Sequence, residues 1–174
     1  MTSASDIGKV IRVLIAGYPH FTPSPDTIRV YTIMLQDLDP NILVEVIKLH
    51  LATNKFFPSV AELREGYAKI VERANRIPTP IEAWGEVVRQ MDRVGSYRKP
   101  VFSNPLIEKV VNYMGWETLC LSENPVADRA HFMKAYETVL NREREDLVML
   151  PETRETIKAL GEARSNRALL ETGD

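Results

Sequence analysis

With 174 residues, 44% hydrophobic and 26% charged, the chain has room for one ordinary domain or two small ones and the composition of a globular protein with a real core. Its 22 Lys and Arg face 24 Asp and Glu, for a formal net charge of −2, so there is no bulk electrostatic case for nucleic acid or membranes, and any basic footprint has to be local. No stretch approaches the roughly 20 apolar residues of a membrane span, the N-terminus carries no signal-peptide pattern, and the one cysteine, Cys120 between Leu119 and Leu121, reads as a core thiol, so a reducing cytoplasm is expected.

Ile7, Val10, Ile11, Leu14, Ile15 and Tyr18 recur at helical spacing and open the chain with an amphipathic helix. Pro19, Pro23 and Pro25 end it. Ser24-Pro25 starts a second helix with Ile28, Tyr31, Leu35 and Leu38 inward, because Ser caps the first amides and Pro is pre-set for the first turn. Asp39-Pro40 starts a third, whose wide apolar face (Ile42, Leu43, Val46, Ile47, Leu49 to Leu51) predicts the most buried helix. A fourth starts at Ser59, with Val60, Leu63, Tyr67, Ile70, Val71 and Ala74 inward and Glu62, Arg64, Glu65, Lys69, Glu72 and Arg73 on a solvated face.

Residues 76–80, with two prolines and no apolar stripe, mark a boundary. Thr79-Pro80 with Glu82 forms a capping box and opens a helix carrying Ile81, Trp84, Val87, Val88, Met91 and Val94, closed by Gly95. Asn104-Pro105 opens the next, with Leu106, Ile107, Val110, Val111 and Met114, closed by Gly115; Trp116 to Ser122 is a short helical turn. Asn124-Pro125 opens the longest, with Val126, Ala130, Met133, Tyr136, Val139 and Leu140 as inner positions, running out at Arg142 to Asp146. A weak helix is expected from Pro151 to Ala163, followed by a frayed end. The fold class is therefore all-α: two small helical units of about four and three to four helices, 1–76 and 77–150, with a weakly structured tail, 151–174.

The stretch Asn54 to Tyr67 is the most informative. Ser59 and Glu62 have capping-box spacing, and Pro58 forces Phe57 into an extended conformation, so the preceding helix ends near Asn54 or Lys55. Phe56 and Phe57 lie in that corner, either both wedged between the helices or with one ring exposed as a partner anchor. Elsewhere catalytic chemistry is sparse. The chain lacks the Gly-x-x-x-x-Gly-Lys-Ser/Thr phosphate cradle, and His20, His50 and His131 lie far apart, so no catalytic residue, cofactor site or metal site is assigned. A Cys120–His131 pair is the one nucleophile and base combination on offer. Arg89, Arg93, Arg98 and Lys99, accompanied by Tyr97, combine cations with an aromatic as single-strand binding requires, although Glu86 and Asp92 intrude, and cations at a helix end also complement its dipole.

Over roughly residues 5 to 75 the chain resembles the phage replicative helicase loader and inhibitor family of Gram-positive bacteria, through Ala16-Gly17-Tyr18-Pro19, the helix with Tyr31, Leu35-Gln36-Asp37-Leu38, and above all Lys55-Phe56-Phe57-Pro58-Ser59-Val60-Ala61-Glu62-Leu63-Arg64. Residues of the second half, Ala83-Trp84-Gly85-Glu86-Val87, Met114-Gly115-Trp116 and Arg129 to Tyr136, are similar to a segment of related phage replication proteins. The resemblance implies a non-enzymatic adaptor in the cytoplasm of a bacterial host, which binds a DnaB-type hexameric helicase, inhibits it, and helps load it at an origin with a phage initiator protein. It points to Lys55, Phe56, Phe57 and Arg64 as partner-binding. The presence of a second helical unit leaves two places open for the helicase contact, residues 80–146 or those after Leu150; a tail that engages the helicase would order on binding, with Ile157, Leu160, Leu169 and Leu170 as anchors and Arg164 and Arg167 on the rim. The alternative is a DNA-binding replisome organiser that uses Arg89, Arg93, Tyr97, Arg98 and Lys99.

Overall fold

The computed structural model describes the backbone of residues 4–171 and the side chains of residues 6–164. Within these bounds every regular element is an α-helix: α1 (Ala4–Ala16), α2 (Pro25–Leu35), α3 (Pro40–Thr53), α4 (Val60–Ala74), α5 (Pro80–Val94), α6 (Pro105–Met114), α7 (Trp116–Leu121), α8 (Pro125–Val148) and α9 (Pro151–Glu171). The chain forms two compact units, Met1–Ala74 with Asp146–Asp174, and Asn75–Glu145.

Each of the five cap-plus-proline pairs starts a helix. Ser24 Oγ accepts the Thr27 amide (3.1 Å), Asp39 Oδ1 those of Asn41 (2.8 Å) and Ile42 (3.4 Å), Thr79 Oγ1 that of Glu82 (3.3 Å), Asn104 Oδ1 that of Leu106 (2.9 Å) and Asn124 Oδ1 that of Ala127 (3.1 Å). Each cap satisfies amides that a helix start otherwise leaves without partners, worth about 1 kcal/mol.

In the first unit α1 packs on α2 and α3, and α4 on α2 and α3. The core is aliphatic: Ile7, Val10, Ile11 and Leu14 of α1, Leu35, Leu38, Leu43, Val46, Ile47 and Leu63, with Tyr18 at its margin. Here α1, not α3, contributes the most buried positions. α3 has more apolar residues than one packed face can take, and Leu49 is left 49% exposed. Close helix approach is set by Gly66, where a Cβ would lie 2.7 Å from Val46 Cγ1. A second departure concerns Arg64, expected on the solvated face of α4 but only 4% exposed.

The core of the second unit comprises Ala83, Val87, Leu106, Ile107, Val110, Val111, Leu119, Phe132 and Tyr136. On α8 the expected stripe holds at Tyr136, which is fully buried, and at Val139 and Leu140, which pack against the core, but Phe132, outside that stripe, is also fully buried and Val126 is 79% exposed. Rings decide that difference, since Phe132 packs on Trp84 (5.3 Å between centroids) and Tyr136 (5.9 Å), burying more surface than Ala130 offers. On α5, small Ala83 faces the core while Ile81 points outward. Gly95 and Gly115, at φ 71° and 87°, end α5 and α6 in conformations that favour glycine.

The tail is helical beyond the expected Ala163, with α9 reaching Glu171. Glu, Lys, Arg, Ala and Leu are strong helix formers, and every described side chain from Glu152 to Arg164 is exposed, so local propensity sustains this helix in place of a buried face.

Candidate functional site

The corner between α3 and α4 is built by its carbonyls and rings. Asn54 ends α3, its amide donating to the His50 carbonyl (2.8 Å). At the start of α4, Glu62 Oε2 accepts the Ser59 amide (2.7 Å) and Ser59 Oγ accepts the Glu62 amide (3.2 Å), closing the expected capping box. These donors hold the Glu62 carboxyl below its usual range. Between the two ends, the Tyr18 hydroxyl donates to the Asn54 carbonyl (3.2 Å) and the Tyr31 hydroxyl to that of Pro58 (2.8 Å). Burial, with Glu62 nearby, pushes both phenols upward.

The two phenylalanines part company here. Phe57 is half-buried, stacked on Phe21 (3.9 Å, 18°) and edge-on to Tyr18 (5.7 Å, 73°). Phe56 is 84% exposed. Only its backbone is held, with the carbonyl 3.1 Å from His50 Nε2, while Asn54 Nδ2 lies 3.2 Å from His50 Nδ1. Those contacts fit one neutral tautomer, in which Nδ1 accepts from Asn54 and the Nε2 proton goes to Phe56. His50, Leu49, Asn54, Glu62, Gly66 and Lys69 line a groove of about 310 Å³ between α3 and α4. Phe56 thus presents an exposed ring on a backbone held by His50, whose side chain also lines the groove.

Of the other residues expected to meet a partner, Lys55 is exposed in the same corner. Arg64 is used inside the chain. Its Nη1 donates to the Met34 carbonyl and Asp37 Oδ1 (both 2.8 Å), its Nη2 to Asp37 Oδ2 (2.7 Å) and the Met149 carbonyl (3.1 Å), and its Nε to the Val148 carbonyl. All five N–H donors of a guanidinium are thereby satisfied. On α9, Ile157 (53%) and Leu160 (66%) are exposed, as is Arg164, whereas the side chains of Arg167, Leu169 and Leu170 lie outside the described residues.

In the second unit Arg89, Arg93, Tyr97, Arg98 and Lys99 are all exposed. Arg98 Nε donates to the Val94 carbonyl (3.2 Å), completing the end of α5. Arg89 lies back along its own helix, with Nη1 3.4 Å from where a Cβ on Gly85 would stand. Cys120 and His131 are not joined by any contact among the described residues: burial pushes the thiol up, away from the nucleophilic thiolate, and His131 packs edge-on against Tyr113 (6.1 Å, 79°).

Comparison with known proteins adds one finding. A family model that describes the N-terminal domain of a phage helicase loader and inhibitor matches residues 1–64, which takes in α1 to α3, the corner and the start of α4. Neither the curated proteins nor the solved structures include a match. Over residues 1–64 this chain is similar to the N-terminal domain of the helicase loader and inhibitor of phage SPP1.

Proposed function

We propose that the protein is a phage replication adaptor that binds a DnaB-type hexameric replicative helicase, restrains it, and helps deliver it to an origin in concert with a phage initiator, in the cytoplasm of the bacterial host. The match of residues 1–64 to the N-terminal domain of a phage helicase loader and inhibitor carries this reading. Lys55 and Phe56 at the corner, and Ile157, Leu160 and Arg164 on α9, are the contacts we assign to the partner. Their support is exposure without a structural job.

The adaptor hydrolyses nothing in this scheme. It acts by differential affinity, stabilising an open or inactive ring over the translocating one, and its effect is bounded by the difference between its affinities for the two states.

Native mass spectrometry of the full chain mixed with the hexameric helicases of host and phage, with and without ATP, tests the proposal. A chain truncated after Leu150 is an informative control, because Val148 and Met149, the carbonyls that Arg64 holds, remain in it. A complex lost on truncation puts the contact on α9, and one that survives puts it on the folded units. Absence of a complex with either helicase overturns the proposal.

A further inference from the structure

We infer that the second unit carries a small single-stranded nucleic-acid site, centred on the loop between α5 and α6 and distinct from the run of arginines along α5. A crevice of about 250 Å³ opens there, lined among others by Tyr97, Arg98, Lys99, Phe102, Asn112 and Trp116. Arg89 and Arg93 do not line it. The site stands independently of the helicase reading, since it uses residues outside the matched segment.

Three observations point to a polyanionic strand with flat bases. First, the loop is pre-formed. Glu86 takes both the Ser103 amide and hydroxyl (2.6 Å each), and Gln90 Nε2 donates to the Val101 carbonyl (2.6 Å). Glu86, a carboxylate that intrudes on the basic cluster in the sequence, is therefore consumed as a loop anchor. Second, the aromatic wall is rigid on one side and free on the other. Trp116 is fixed by its indole N–H on the Gly95 carbonyl (3.0 Å) and by edge contact with Phe102 (6.1 Å, 75°), whereas Tyr97 is 98% exposed. A rigid ring beside a free one is a platform on which any base can stack, without sequence preference. Third, cations sit at the lip. Arg98 spends its Nε on Val94, but among the described residues nothing accepts from its two Nη groups, which leaves them for phosphate. Lys99 is 86% exposed and reaches Glu108 only at 4.0 Å, an exposed pair that a phosphate can displace.

A site with two phosphate contacts and one or two stacked bases binds weakly and with a shallow salt slope, log K against log salt of roughly −1.4 for single strands. Fluorescence anisotropy of labelled dT15 with the full chain at low salt, then over a salt titration, tests it. The expected result is binding with that slope, lowered on the order of 5-fold to 150-fold in Tyr97→Ala. The slope should flatten toward zero in the double variant Arg98→Ala, Lys99→Ala, with Arg89→Ala, Arg93→Ala left close to wild type. All these side chains are exposed, and unchanged circular dichroism confirms that the variants fold. Absence of binding at low salt overturns the inference, as does binding that ignores Tyr97→Ala or that disappears only in the Arg89 and Arg93 variant. Displacement of dT15 by polyglutamate at equal charge concentration assigns the crevice to an acidic polypeptide and also overturns it.

Discussion

The chain starts a helix twice with the same device, and the two copies differ instructively. Pro58-Ser59-Val60-Ala61-Glu62 and Pro78-Thr79-Pro80-Ile81-Glu82 are both capping boxes preceded by a proline, and in both the proline carbonyl accepts a tyrosine hydroxyl from elsewhere in the same unit: Tyr31 to Pro58 (2.8 Å) and Tyr136 to Pro78 (2.9 Å). Proline leaves the preceding backbone extended and its carbonyl outside any helix, so a phenol supplies the missing donor. Four residues past each cap, Leu63 and Ala83 are fully buried. One residue further the copies diverge. Arg64 spends all its donors on carbonyls and Asp37, while Trp84 packs on Phe132. The shared features are what starting a helix at a sharp corner requires. The features present in one copy alone, the buried guanidinium and the bare Phe56, need separate explanations.

The largest effect is expected at Arg64. Arg64→Ala leaves Asp37 and three carbonyls without their donors, and removing one partner of a buried, hydrogen-bonded pair costs about 3–5 kcal/mol. The tryptophans, Trp84 and Trp116, both lie in the second unit, so tryptophan fluorescence is blind to this change. Hydrogen exchange reads it directly: amides of α2 and α4 should lose protection and those of α5 should not. Equal loss in both units would break the contrast.

Arg64 also marks where the sequence stops being legible. Helix starts are readable because Ser, Asp, Thr and Asn before proline or glutamate act within four residues, and the mechanism is local. The all-α class follows from apolar spacing alone. Arg64 escapes such reading because its neighbours Glu62, Glu65 and Lys69 are solvated, and periodicity assigns a charge to the outside; nothing local reveals a carboxylate 27 residues upstream and carbonyls 84 and 85 residues downstream. Ala83 and Phe132 escape it for a related reason. Stripe reading weighs hydrophobicity, whereas packing rewards a small residue opposite a large ring. At the corner, both phenylalanines are readable as special, but only tertiary partners, Phe21 and Tyr18, decide which of them is buried.

Next in size are the tyrosines. Tyr136→Phe strands the Pro78 carbonyl beside a fully buried ring and should cost about 1–3 kcal/mol; Tyr31→Phe, at a half-buried site that water can enter, should cost about 1 kcal/mol or less. The same asymmetry appears with pH. Burial, with Glu82 and Glu86 nearby, pushes Tyr136 up from 10.0 to about 12. The folded state keeps the proton longer than the unfolded chain, so this contribution is complete below pH 10 and is lost as pH rises toward 12. Urea midpoints read by tryptophan fluorescence should therefore fall between pH 10 and 12 in the wild type and less steeply in Tyr136→Phe.

The capping boxes themselves should behave alike, which tests whether the device is shared. Ser59→Ala and Thr79→Ala should each cost about 1 kcal/mol. Both Glu62 and Glu82 are held below the ordinary 4.5 by the backbone and hydroxyl donors of their caps. Their help is present above that value and lost as pH falls below it through the folded-state values, so the first turns of α4 and α5 should lose exchange protection together in acid. Loss in one helix only would show that the two corners merely look alike.

The smallest effect on stability is expected at Phe56, and it bears most directly on function. Phe57→Ala removes a ring stacked on Phe21 and should cost about 2–3 kcal/mol. Phe56→Ala removes a ring that is 84% exposed and should stay within about 0.5 kcal/mol of wild type. If the corner is the helicase anchor, the order inverts for binding. Phe56→Ala should weaken the complex by on the order of 30-fold, the scale of an aromatic hot spot, with unchanged hydrogen exchange in the free protein. A variant that is neutral for both stability and helicase affinity would remove Phe56 from the interface and leave the exposed apolar residues of α9, Ile157 and Leu160, as the anchors to test.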